Sequence, residues 1–77
     1  MKVYTIKKTR KGHETIIENT LPELIKYFKY TFEVGKSWNN KINDNPKTIT
    51  SFVSNLQKSF EELEASCFER TSIEFIK

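Results

Sequence analysis

The chain has 77 residues, one cysteine and no apolar run longer than two residues. That length makes one domain, near the lower limit at which an apolar core holds a fold unaided. Runs as short as Ile16-Ile17 and Phe52-Val53 exclude a bilayer-spanning helix or a signal-peptide core, which leaves a cytoplasmic reading with no membrane partner.

One cysteine excludes a disulfide framework and a zinc site built on cysteine pairs. Leu, Ile, Val and Phe supply 21 residues, enough to lift the composition out of the disordered range. The net charge of +3 is unevenly distributed, at +5 over residues 1–50 and −2 over residues 51–77. Such polarity steers association without dictating fold. Only two of the thirteen basic residues are Arg. Lys lacks the bidentate fork that reads guanine or clamps phosphate, so sequence-specific DNA recognition is disfavoured.

Taken in chain order, the sequence opens on a hairpin. Val3-Tyr4-Thr5-Ile6 and Thr15-Ile16-Ile17 are β-branched and aromatic, and Lys11-Gly12 lies between them; a glycine there suits a turn that needs positive φ. Thr20 offers a hydroxyl cap to a first helix, Pro22 fits its first turn, and Glu23 complements its dipole. Leu21, Leu24, Ile25, Phe28 and Phe32 recur at helical spacing. Gly35 either ends this helix or is a close-packing point inside a longer one that runs through Trp38 toward Ile42; because it follows Phe28 and Phe32 on nearly the same face, the longer version is favoured.

Asn43-Asp44-Asn45-Pro46 predicts both a turn and the start of a second helix. Ile49, Phe52, Val53, Leu56, Phe60, Leu63 and Cys67 then trace one apolar stripe. Ser72-Ile73-Glu74-Phe75-Ile76 reads as a third strand. The fold class is therefore α+β in the order ββααβ: a three-stranded antiparallel sheet with an antiparallel helix pair on one face. The simplest sheet order is 1-2-3. Tyr4, Ile6 and Ile17 face the helices, while Val3, Ile16 and Ile76 remain on the open face.

The inventory for catalysis is poor. His13 and Cys67 are the only residues of their kinds and lie far apart in sequence, whereas a Cys–His nucleophile needs them in contact. Cys67 reads as a buried small apolar residue and His13 as an exposed strand-end residue. Gly35-Lys36-Ser37 fails as a phosphate loop, because position 30 is Tyr30 where a glycine is required and no strand precedes it. Glu61, Glu62, Glu64, Glu69 and Glu74 are spaced for a solvated surface rather than an acid–base pair. The expectation is a non-enzyme without metal or cofactor.

Two binding surfaces stand out. Lys7, Lys8, Arg10 and Lys11 cluster at the hairpin tip, and Lys26-Tyr27-Phe28-Lys29-Tyr30 interleaves basic and aromatic residues. Together they suit nucleic acid, since a basic ribbon can enter a groove and exposed Tyr can stack on bases. The alternative is protein: Trp38, Tyr27 and Tyr30 are the aromatic anchors that interfaces favour. An open sheet face with residual apolar side chains also allows a homodimer.

The stretch from Thr20 through Phe28, continuing from Thr31 to Trp38, resembles a pattern found in small bacteriophage proteins, as does Lys41 through Leu56. The resemblance covers about half of the chain and implies a small phage accessory protein; it carries over no functional residues. Proteins of that class often inhibit or redirect a host or defence machine, acting in the host cytoplasm. The leading expectation is accordingly a non-enzymatic protein that binds a host protein or defence complex. The alternative is a small nucleic-acid-binding module.

Overall fold

The computed structural model describes residues 2–76. The first strand, β1 (Val3–Arg10), and the second, β2 (His13–Thr20), form an antiparallel hairpin. Lys11 and Gly12 both have positive φ, 54° and 77°, so the turn is of the type whose twist matches the flanking strands. Each strand is longer than the apolar run that announces it. Cross-strand pairs extend the ladder to the turn, with Arg10 opposite His13 and Thr9 opposite Glu14.

Two short helices follow, α1 (Leu21–Tyr27) and α2 (Lys29–Trp38). Thr20 occupies the N-cap position, but its hydroxyl caps nothing; its own N–H is taken by Asn19 Oδ1 at 2.9 Å. Pro22 lies in the first turn as expected. Phe28 interrupts the helix with φ −100° and ψ 19°, yet its N–H still reaches the Leu24 carbonyl at 3.1 Å. Gly35 lies inside α2 and is buried, so the helix does pass through it, ending at Trp38 rather than toward Ile42.

The third helix, α3 (Ile49–Leu63), starts three residues beyond Pro46, where the turn motif predicted it. Thr48 supplies the cap, its Oγ1 accepting from Ser51 N–H at 3.1 Å. Pro46 and Ile42 are instead buried under the return segment 39–48. Asn55, buried in α3, holds that segment by accepting from Asn43 N–H at 2.8 Å while donating to the Ser51 carbonyl. The last strand, β3 (Ser72–Ile76), forms where it was expected.

The chain is thus α+β in the order ββααβ, with a three-stranded antiparallel sheet. Its strand order is β2-β1-β3, not 1-2-3. β2 ends at Thr20 beside Val3, whereas β3 begins at Ser72 beside Thr9, at the opposite end of the sheet. Linking those ends takes an odd number of passes. The helices supply two and segment 39–48 the third, so α2 and α3 meet with like ends together, not opposed. Phe32 packs on Phe52 (ring centroids 5.8 Å apart), Gly35 lies against Ser59, and Trp38 borders Leu63.

The core lies between helices and sheet: Ile6, Leu24, Phe28, Phe32, Ile42, Phe52, Leu56 and Ile73. Tyr4 and Ile17 pack against it from the sheet, while Val3 and Ile16 are exposed on the open face, as the alternation predicts. Cys67 departs from expectation. The helix ends at Leu63, and Cys67 lies exposed in the segment leading to β3. Among the described residues no helix is long and apolar enough to cross a membrane.

Candidate functional site

The hairpin cations do not form a free basic patch. Side chains on β1 alternate between faces, so Lys7 projects from the open face between the two outer strands. Its Nζ lies 3.4 Å from both Glu14 and Glu74. Hydrogen bonding to Glu14 and then to Glu74 raises its pKa above the ordinary lysine value. Arg10 turns to the helix face, where it pairs with Glu64 and donates to Thr71 Oγ1 at 3.3 Å. Lys8 is half-buried on that same face, opposite Thr15 and Ile73. Lys11, in the turn, is exposed.

Glu64 organises this end of the molecule. Only 5% exposed, it accepts from Thr71 N–H at 2.8 Å and from Thr71 Oγ1 at 2.9 Å, in addition to Arg10. A buried carboxylate is tolerated when its lone pairs are met in this way. The result is a clasp that joins the end of α3, the start of β3 and the tip of the hairpin. Residues 65–70 loop out between its arms.

That loop presents the surface which the sequence pattern concealed. Phe68 is fully exposed and lines a depression with Arg10, Lys11, Cys67 and Glu69. Trp38, 74% exposed, borders a second depression of about 370 Å³ with Glu62, Leu63, Ala65 and Ser66. The two depressions adjoin along the chain at Ser66 and Cys67. Exposed Phe68 and exposed Trp38 thus each border a depression formed in part by the segment after α3. Leu63 was missed as a site residue because the helical spacing assigns it to the core, and Phe68 because it lies off that stripe. The cue was the stretch Glu69-Arg70-Thr71-Ser72, whose polarity stops the helical stripe.

Lys26, Tyr27 and Tyr30 are all exposed around the α1–α2 break. Lys29, beside them, lies 3.9 Å from Glu33. Tyr27 packs edge-on against the buried Phe28, with centroids 4.8 Å apart. Lys26 and Tyr27 border a depression with Ile17 and Asn19 of β2, whereas Trp38 borders residues beyond the end of α3. The predicted partner-binding residues thus divide into two groups rather than one basic-aromatic surface.

No hydrogen bond joins His13 and Cys67, and among the described residues no group of three or more His, Cys, Asp or Glu could hold a metal ion. No family model matches the chain, and neither a curated protein nor a solved structure matches it.

Proposed function

We propose that this chain is a small non-enzymatic accessory protein of the bacteriophage type, which binds a host protein or defence complex and inhibits or redirects it in the host cytoplasm. One observation carries the reading. The hairpin-tip end exposes Trp38 and Phe68 together with Leu63, while the neighbouring Arg10 is held internally by Glu64. Exposed Trp and Phe without a packing role are the residues that make interface anchors. Arg10 and Lys7, both ion-paired within the fold, are poorly placed to bind phosphate as well.

The test is affinity capture from nuclease-treated host lysate with the wild-type chain, Trp38→Ala and Phe68→Ala. A stoichiometric protein partner retained by wild type and lost by both variants is the expected result. Both variants should unfold within about 0.5 kcal/mol of wild type, since neither side chain is packed. Recovery of nucleic acid with no stoichiometric protein would overturn the reading.

A second reading rests on Lys26, Tyr27 and Tyr30, whose joint exposure suits stacking on single-stranded nucleic acid. Its signature is affinity that falls steeply with salt and drops when Tyr27 and Tyr30 are both replaced by Ala. Absence of binding to single strands at low salt removes it.

A further inference from the structure

The two edges of the sheet are treated differently. A two-residue hairpin makes the residues flanking the turn, Arg10 and His13, a hydrogen-bonded pair, and bonded pairs then alternate along the ladder. On β2 this turns the N–H and C=O of Glu14, Ile16 and Glu18 away from β1. The same alternation sends the N–H of Ile73 outward on β3. There it donates to Gln57 Oε1 at 2.8 Å, and Gln57 Nε2 donates to the Thr71 carbonyl at 3.0 Å. The start of this edge is covered by a side chain of α3. On the other, Asn19 caps Thr20 N–H, but among the described residues no hydrogen bond from another side chain reaches the backbone of Glu14, Ile16 or Glu18.

The exposed β2 edge is eight residues long, contains no proline or lysine, and is regular in register. Those are the devices by which proteins ordinarily blunt an edge, apart from charge. The charged side chains of β2 itself carry one sign. Glu14, which also pairs with Lys7 of β1, and Glu18, which accepts from Thr5 Oγ1 at 3.1 Å, flank the half-exposed Ile16 on the open face. A second copy pairing β2 to β2 would bring four carboxylates together across the new ladder. An extended strand with cations at alternate positions would meet them with opposite charge instead.

The geometry points to β2 as a docking edge for an extended basic peptide segment, of pattern basic–x–apolar–x–basic, added as a fourth strand. This deepens the protein-binding reading and rests on it. Main-chain hydrogen bonds to Glu14, Ile16 and Glu18 supply the attachment, and the two carboxylates with Ile16 between them select the side chains. The edge lies apart from the Trp38–Phe68 surface, so one partner could engage both or two partners one each.

The test uses the whole chain and the end-blocked peptide Thr-Lys-Thr-Val-Thr-Lys-Thr, followed by residue-resolved amide exchange and by titration. Slowed exchange at Glu14, Ile16 and Glu18, with no response to the same peptide carrying Glu for Lys, is the expected result. Ile16→Pro removes one outward N–H without touching the bonds to β1, and should weaken binding about tenfold. The double variant Glu14→Lys, Glu18→Lys should exchange the preference toward the acidic peptide. The proposal is overturned by unchanged exchange at saturating peptide, by equal binding of both peptides, or by protection that grows with protein concentration alone, which would make a second copy the occupant. Absent protection while the Trp38 surface still captures protein overturns the edge proposal alone. Protection by the basic peptide with no protein captured by any surface leaves the edge standing and removes the broader reading.

Discussion

Gly35 and Ser59 touch where α2 meets α3, so closely that a Cβ on Gly35 would lie 2.7 Å from Ser59 Cβ and 2.8 Å from its Cα. Alanine in place of glycine ordinarily stabilises a helix by about 1 kcal/mol. Here the added methyl meets backbone and must push the helices apart, at about 1–3 kcal/mol. The clash wins. Gly35→Ala should lower stability by about 1 kcal/mol in urea unfolding, and combination with Ser59→Gly should recover part of that loss as a coupling energy.

Glu64 is the hub of the clasp at the hairpin tip, and its removal leaves Thr71 N–H and Arg10 without their acceptor. Glu64→Ala should cost about 3 kcal/mol, the low end for breaking a buried ion pair because Arg10 is partly solvated. Glu64→Gln should cost less, since an amide oxygen can still accept from Thr71. Proteolysis in segment 65–70 should accelerate in the same order. Equal stability of all three chains would refute the role.

Gln57 closes the β3 edge with two hydrogen bonds. Gln57→Ala should destabilise by about 2 kcal/mol, through the loss of two partly buried partners. Amide exchange at Ile73 should quicken more than at its neighbours, whereas a change spread evenly over the sheet would point to general loosening. The variant should also aggregate more readily, because it opens a second strand edge.

Lys7 carries the pH dependence that can be derived. Its pKa is raised in the folded chain by Glu14 and Glu74, so the folded state holds the proton more tightly than the unfolded one. The resulting contribution is complete below the ordinary lysine value of about 10.5 and fades as pH rises through the elevated folded value. Wild type and Lys7→Met should therefore differ more in urea midpoint at pH 8 than at pH 11. A gap that widens with pH would contradict the pairing.

Local structure was legible in the residues themselves. Lys11-Gly12 marked the turn, the spacing from Ile49 to Phe60 marked α3, and the alternation around Ile6 told the buried sheet face from the open one. What was hidden is relational. Segment 39–48 looks like a turn by composition, and only the bond from Asn43 to Asn55, with Ile42 buried beneath, makes it a full return pass. That extra pass decides both the strand order and the helix direction. Cys67 extends the stripe by simple spacing, but Glu64 ends the helix by engaging Thr71 and Arg10, and the residues beyond are turned outward. The same event leaves Phe68 exposed, off the helical stripe that the spacing traced.

The central place of β1 also bears on how the protein is made. Thr5 pairs with Glu18 on one side and with Ile76 on the other, so β1 receives its second neighbour from a strand more than fifty residues beyond the hairpin. A ribosome releases β3 only after both partners of the hairpin and all three helices have emerged. The hairpin can close early, but its inner edge stays open through most of synthesis, and pairing across so long a chain is slow to nucleate. Completion of this sheet therefore waits on the emergence of Ser72–Ile76, and a chain stalled before Ser72 would expose β1 as well as β2 to whatever strand lay nearby.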